Sequence, residues 1–391
     1  MSKVKLCDIC DFQGGSQPPK SQWITLQQDG YIRMLQIRDF TQPGKVKEEY
    51  VKLTNTTKCC LKDDILIARY GASLGKILTG LSGAYNVAMT KAVPNEAVIS
   101  KKFLYYFLCS DTFQNCILNV GVRAAQAGFN KEDLSNIEIY CPDLSIQNKI
   151  CKILELVDVL INKSKLQLDE LDLLVKSRFI EMFGDPVLNN KGWPVKKLKQ
   201  LTSKISSGNT PKGGREVYVS EGITFFRSQN VWRNYFDMSD IAYIDEATHK
   251  KMADTSLKHG DLLITKTGRF NTENSSLGRT ALFLGENDSA NINGHVYLVR
   301  LKAGINHQFV LHILISNQFR DLIRKVCVGG IDKRQLNKNH IEDFPIIIPP
   351  LEQQEKYADF VAQVDKSKLA IQQSLDELET LKKSLMQQYF G

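Results

Sequence analysis

The longest hydrophobic pattern in the chain runs from Leu144 to Gly184. Leu154, Val157, Ile161, Leu168, Leu171 and Val175 recur there at three- and four-residue steps, with Ser164 breaking the row. That period predicts one amphipathic helix. No Gly or Pro interrupts Ser145 to Phe183, Pro142 lies just before, Gly184 closes the run and Pro186 follows. This is the punctuation of a helix start and stop. About 40 residues at ~1.5 Å each make a helix of about 60 Å. A second row, Val361, Val364, Ile371, Leu375, Leu378 and Leu385, predicts a second helix over Leu351 to Gly391.

The two stretches are copies. Leu144 aligns with Leu351 and Gly184 with Gly391, a constant offset of 207 residues without a gap. Gln147 meets Gln354, Val157-Asp158 meets Val364-Asp365, and Leu168-Asp169-Glu170-Leu171 meets Leu375-Asp376-Glu377-Leu378. The chain is therefore a tandem duplication of a domain followed by a long helix. The expected organisation is a domain over 1–143, a helix over 144–184, a second domain over 185–350 and a helix over 351–391. Alternating strands and helices inside each domain predict an α/β (α+β) fold.

Shorter patterns recur within the domains. MLQIRDF (34–40) and FFRSQNV (225–231) alternate apolar and polar residues, which predicts a strand with one buried and one open face. Superposed, Gln36 meets Arg227, Arg38 meets Gln229 and Asp39 meets Asn230. Arg, Gln and Asn carry the forked donors and acceptors that read base edges; a half-solvated strand is the plain alternative. Next come 61–77 and 257–280: an acidic turn, an apolar strand, a base (Arg69, Lys266), a Gly (Gly71, Gly268), a loop, then Leu-Gly-base ending at Lys76 and Arg279. Only three residues separate Gly71 from Gly75, and Ile77 stands where Ser or Thr should hold a metal, which excludes a P-loop. The loop grows by six residues in the second copy, between Arg269 and Ser276, as expected if the tips differ in specificity on a shared scaffold. Phe103 to Ile117 and Phe309 to Ile323 each predict an apolar helix whose aromatics belong to a core. The loops after them, 121–142 and 328–350, bring Arg123, Gln126, Lys131, Lys333, Arg334 and Lys338, the residues expected to face a polyanion. Each ends in a closing strand and Pro.

Composition adds little. With 391 residues the chain has room for two domains, and its net charge of +8 is compatible with a nucleic-acid partner without requiring one. No apolar run approaches the ~20 residues of a membrane span, and MSKVKLCDIC lacks a signal-peptide core, so the cytoplasm is expected. Cys7-x-x-Cys10 with Cys59-Cys60 hints at zinc, but KLCDIC corresponds to KLKQLT at 197–202, without thiols. Reduced cysteines and no metal are expected. No Asn/Asp-Pro-Pro-aromatic tetrad, cofactor loop or carboxylate cluster marks an enzyme. Asp63, Asp64 and Asp261 read as solvated turn residues, and His295, opposite Asn86, lacks the setting of a triad.

Together, the order "strand, Pro, Leu-x-x-Gln-x-Lys, long helix", duplicated, with Asp-Ile/Leu-Leu-Ile and Gly…Leu-Gly-Lys/Arg inside, resembles the specificity subunits of type I restriction–modification enzymes. The resemblance covers essentially the whole chain. It implies two target recognition domains, each reading half of a split double-stranded DNA site. It also implies two long helices packed antiparallel as a coiled-coil spacer, two modification (methyltransferase) subunits docked on them, and restriction (motor and nuclease) subunits joining. The chain itself would be non-catalytic and bind no cofactor: S-adenosylmethionine belongs to the modification subunit, ATP and Mg to the restriction subunit. It points to Gln36, Arg38, Arg69, Ser73, Lys76 and Gln126 as DNA contacts in the first copy and to Arg227, Gln229, Asn230, Lys266, Arg269 and Arg279 in the second. Leu154, Val157, Ile161, Leu168 and Leu171 would meet Val361, Val364, Ile371, Leu375 and Leu378 along the helix seam. Two unlike readers on a rigid spacer predict an asymmetric site with half-sites roughly one helical turn, ~34 Å, apart. A helical protein–protein adaptor without a DNA role is the alternative; it predicts that losing Arg38, Lys76, Arg227 and Arg279 leaves function intact.

Overall fold

A computed structural model describes residues 3–121, 128–272 and 274–391. The chain forms two compact units. One comprises Met1–Leu166 with Gln372–Gly391, the other Gln167–Ile371. The long helices, Leu144–Phe183 and Leu351–Phe390, are thus divided, each giving one half to each unit.

Each unit is built to the same α/β plan. In the first, Lys3–Lys5 pairs antiparallel with Glu138–Tyr140, tying the start of the domain to its closing strand. A four-stranded antiparallel sheet follows in the order Cys10–Gly14, Met89–Pro94, Ile65–Ala68, Ile77–Leu78. A second sheet runs Tyr50–Lys52, Tyr31–Leu35, Gly83–Tyr85, Cys59–Cys60, with Tyr31–Leu35 parallel to Gly83–Tyr85. The second unit repeats this. Val195–Lys197 pairs with Pro345–Ile347. The larger sheet runs Thr202–Ser207, Val296–Leu301, Leu262–Thr265, Thr280–Leu282, and the smaller Ala242–Ile244, Ile223–Phe226, Ala290–Ile292, again with one parallel pair.

The duplication extends to single hydrogen bonds. Gln147 and Gln354 are buried at the starts of the two long helices. Gln147 accepts from Ser100 N (2.9 Å) and donates to Pro142 O (2.7 Å) and Val98 O (2.8 Å). Gln354 accepts from Asn306 N (3.1 Å) and donates to Pro349 O (2.8 Å). Ser100 and Asn306 in turn cap the helices that follow them, accepting from Phe103 N and Phe309 N. One side chain per unit therefore satisfies backbone groups that burial would otherwise strand. Gly15 and Gly208 pass so close to the next strand that a Cβ on either would lie 2.1 Å from the carbonyl oxygen of Asn86 or Asn293. That pairing makes Asn293, not His295, the counterpart of Asn86; His295 is exposed.

Two sequence expectations are corrected. The apolar helix of each domain is two helices: Lys101–Leu108 and Asp111–Gly121 in the first, His307–Ile315 and Asn317–Val326 in the second. Ser110 and Ser316 stand at the breaks, their hydroxyls accepting from Phe113 N (3.4 Å) and Phe319 N (3.2 Å). A serine capping a new helix start competes with continuation of the old one. Second, Asp261 is no solvated turn residue. It is fully buried, caps its turn from Lys258 N, and takes a two-pronged bond from Arg300 at 2.8 and 2.7 Å. Asp64 is half-buried, with Lys91 at 3.4 Å and Lys101 at 3.3 Å.

Each half of the long helices packs within its unit through the expected rows. Leu154, Val157, Ile161, Val361, Val364 and Leu375 are buried, and Leu168, Leu171, Ile371 and Leu378 are half-buried. In the first unit Leu154 joins a core with Phe103, Phe107 and Phe390, and Lys382–Asp158 (2.6 Å) and Lys165–Glu379 (2.8 Å) link the antiparallel helix halves. In the second, Phe179, Phe183, Phe309 and Tyr357 pack together, and Lys368 reaches Asp172 at 2.5 Å. No helix among the described residues is long and apolar enough to cross a membrane.

Candidate nucleic-acid interface

The strand expected over 34–40 stops at Leu35, and that over 225–231 stops at Phe226. The polar residues beyond lie in turns, so the open strand face with alternating readers does not exist. The reason is a cap in each copy. Asp39 accepts from Gln36 N (2.8 Å) and starts the short helix Ile37–Thr41; Asn230 accepts from Arg227 N (3.0 Å) and closes a turn. A side chain that satisfies the backbone three residues back ends a strand. The superposition of Asp39 on Asn230 is correct, but it pairs two caps.

The structure divides the fourteen candidate contacts by what already holds them. Asn230, 1% exposed, spends its amide on Asp237 O and Asp240 O, both at 3.0 Å. Arg227 is buried, donates to Asp240 O, pairs with the Asp240 carboxylate at 3.2 Å and packs against the Tyr218 ring. Arg279, 7% exposed, donates to Ser275 O (3.1 Å) and Asn274 O (2.6 Å) and lies 3.6 Å over the Trp232 ring. Burial lowers its pKa from the ordinary arginine value. Lys266 is half-buried, with its ammonium on Ser207 Oγ and, at 2.6 Å, on Gly294 O, and burial lowers its pKa too. In all four the polar end is taken up by the chain itself, so in this structure they brace loops rather than stand open as the expected contacts would; for the three cations these acceptors offset part of the cost of burial. Arg69 is similarly engaged on Phe129 O at 3.3 and 3.4 Å.

Others stand open. Gln36 and Arg38 both rest on Glu49, at 3.0 and 2.9 Å, and Gln229 on Asp240 at 2.8 Å, but Arg38 and Gln229 are exposed. Such surface pairs are weak and exchangeable for a phosphate. Lys76 is exposed beside Gly75, whose positive φ makes the turn, and Ser73 closes a short 3-10 turn. Arg123 and Gln126 lie outside the described residues.

An open cationic element lies in the second unit. Thr267–Arg269, Lys333–Gln335 and Val328–Gly329 form a three-stranded antiparallel ribbon with Arg269 opposite Lys333, both exposed. Behind it, Arg334 packs 4.8 Å over the Phe270 ring. In the same unit, Trp232 and Tyr235 stack at 5.8 Å, and Arg279 lies over the Trp232 ring. Trp232, Tyr235 and Gln335 escaped the sequence reasoning, since nothing in the linear pattern shows that a distant arginine braces Trp232 or that Gln335 lies on a ribbon. A two-stranded β-ribbon fits a major groove, and Thr267–Arg269 with Lys333–Gln335 is such a pair. All nine cysteines are free thiols, and burial raises the Cys10 thiol to about 12. Among the described residues no three His, Cys, Asp or Glu side chains gather as a metal site.

Comparison with known proteins decides the family. The profile of the type I restriction modification DNA specificity domain matches residues 1–171 and again 190–380. The chain belongs to that family. Among relatives, the type I restriction enzyme MjaVIII specificity subunit of Methanocaldococcus jannaschii is 23% identical over 98% of this chain and 90% of its own length. The putative specificity subunit S.HindORF215P of Haemophilus influenzae is 24% identical over 73% of this chain and 66% of its own. The solved S subunit of a type I system from M. genitalium has the same fold, with a TM-score of 0.58 at 15% identity, covering 100% of this chain and 96% of its own. A chain from a study of complex assembly in a type I system reaches 0.61 at 18% identity, covering 100% and 97%. As a DNA specificity subunit, this chain supplies sequence specificity to a restriction–modification complex and is its non-catalytic member.

Proposed function

We propose that each unit reads one half of an asymmetric, bipartite double-stranded DNA site, and that the long helices set the spacing and dock two modification subunits, which restriction subunits then join. S-adenosylmethionine, ATP and Mg act on those partners, and this chain binds none of them. The complex works in the cytoplasm. The observation that carries this is the contrast within the duplication: the framework bonds at Gln147/Gln354 and Asp39/Asn230 repeat, while the loops after Arg69 and Lys266 differ in length and in sequence. Of the proposed contacts, exposed Arg38, Lys76, Gln229, Arg269 and Lys333 meet DNA, with Gln36 and Ser73 beside them; Arg69, Lys266, Arg227, Asn230 and Arg279 hold the loops that present them.

Genome-wide base-modification sequencing in a methylation-free host tests this. The host expresses the chain with its own modification subunit. A split motif with two unlike halves and a fixed gap, lost when this chain is omitted, is expected. A stable complex that leaves no motif would favour the adaptor reading.

A further inference from the structure

The ribbon of the second unit ends in a tip, Gly330-Ile331-Asp332, that is built firmly and points at nothing in the protein. Ile331 is 89% exposed, the most exposed of the large hydrophobic side chains among the described residues. A Cβ on Gly330 would have no neighbour within 4 Å, so the tip stands in open space. Yet its base is fixed. Gly329 pairs with Arg334 and Gly268 pairs with Arg334 from the other side. Phe270 N donates to Asp332 O at 2.9 Å. Gly329 has φ +134, and a Cβ there would sit 2.7 Å from Lys333 O, so the tight approach admits only glycine.

A single exposed apolar side chain is ordinary on a protein surface; what sets Ile331 apart is its place at the tip of a braced ribbon, next to two exposed cations. Its surroundings name the surface it meets. Arg269 and Lys333 flank it on the adjacent strands, and both are exposed. Asp332, the acid of the tip itself, stands 3.9 Å from Arg269 and is exposed. An apolar tip between cations suits a polyanion with an apolar patch in its groove, and in duplex DNA the apolar feature of the major groove is the thymine 5-methyl group.

We infer that Ile331 is a specificity-determining residue of the second unit: its side chain contacts a thymine 5-methyl group while Arg269 and Lys333 engage the flanking phosphates. This rests on the DNA-reading role proposed above and assigns one base pair of the second half-site to one side chain. Phosphate contacts position the ribbon, and the methyl contact supplies sequence information.

The test uses the complex of the full chain with its modification subunit and a duplex carrying the motif found by modification sequencing. Each thymine of the second half-site is replaced in turn by deoxyuridine, which removes only the 5-methyl group. Wild type is expected to lose four- to tenfold in affinity at one position, and tenfold corresponds to about 1.4 kcal/mol. Ile331→Ala should bind thymine and uracil equally there, and Ile331→Val should keep part of the preference. Equal sensitivity of wild type and Ile331→Ala at every thymine overturns the inference, as does a second half-site without an A·T pair. A side chain this exposed leaves folding intact when shortened, which an unchanged thermal melt verifies. If the wild-type complex has no motif, the DNA-reading role itself fails and takes this assignment with it; that result appears before Ile331 is altered.

Discussion

The two units share a frame and differ in what the frame carries. At the helix starts, Gln147 and Gln354 make the same bonds. At the sheet edges, Asp64 and Asp261 both cap turns, from Leu61 N and Lys258 N. One step further out the copies part. Asp261 is buried under Arg300, whereas Asp64 shares two lysines at the surface. Tyr106 donates to Asp158 at 3.0 Å, while its counterpart His312 bonds Tyr357. Each unit also has a cavity at this corner, of about 320 Å³ beside Tyr106 and Lys382 and about 340 Å³ beside His312 and Lys368. Groups that satisfy the backbone are held constant by the cost of stranding a buried donor; side-chain pairs are free to change so long as each stays partnered.

The glutamines should show the largest effect. Gln147→Ala strands Ser100 N and Pro142 O and leaves Val98 O only the Cys141 thiol, so it should destabilise the first unit by about 2–6 kcal/mol, at ~1–3 kcal/mol per unsatisfied group. Gln354→Ala also strands two and should cost the second unit about 2–6 kcal/mol. Urea unfolding followed by hydrogen exchange, read unit by unit, measures both; a small loss in either unit would break the equivalence. Next, Arg300→Met leaves the buried Asp261 carboxylate without its ion-pair partner, with only Lys258 N to donate to it, a loss of about 3–5 kcal/mol. Lys91→Met should cost below about 1 kcal/mol, since Asp64 keeps Lys101 and water.

The third contrast is with pH. The Tyr357 hydroxyl donates to Val175 O at 3.4 Å, so it accepts from His312 Nδ1–H, and His312 Nε2 accepts from the Gln308 amide at 3.4 Å. Neutral imidazole is satisfied on both sides. Burial first, and Lys368 second, push its pKa down to about 4. The unfolded chain, with a pKa of about 6.5, binds the proton first. Stability of the second unit is therefore complete above pH ~6.5 and is lost as pH falls toward 4, by about 3 kcal/mol at one pKa unit per ~1.4 kcal/mol. His312→Gln should flatten that dependence, and a pH-stability profile of wild type against variant would show it. The first unit has Tyr106 at this position, and its pKa is raised, chiefly by burial, so it adds no change in this range.

The smallest effect separates readers from braces. Arg269→Ala and Lys333→Ala should each reduce the salt slope of DNA binding by about 1 with stability unchanged. Arg279→Ala should lower stability instead, through the loss of its loop carbonyls and Trp232. A change in slope without a change in stability for Arg279 would return it to the contact set. For the same reason, removing Arg38, Lys76, Arg227 and Arg279 together cannot isolate DNA contacts, because two of the four are buried.

Much of this was legible in the amino-acid order. The helical period, its duplication at a constant offset, the Gly-Leu-Gly punctuation and the family resemblance all rest on local chemistry and repetition, and local rules act over three or four residues. Strand ends, the broken apolar helices and the fate of each cation were not legible. Alternation in FFRSQNV looks the same whether Asn230 projects outward or folds back onto Arg227 N, and a basic residue looks the same whether a carbonyl fifty residues away receives it or solvent does. Sequence alone therefore determined the duplicated architecture and the family, since periodicity and repetition are properties of the chain. Which cations face a ligand was decided only by tertiary structure, because burial and acceptor supply come from segments distant in the chain: Ser207 and Gly294 for Lys266, Asp240 for Arg227, and open space around Ile331.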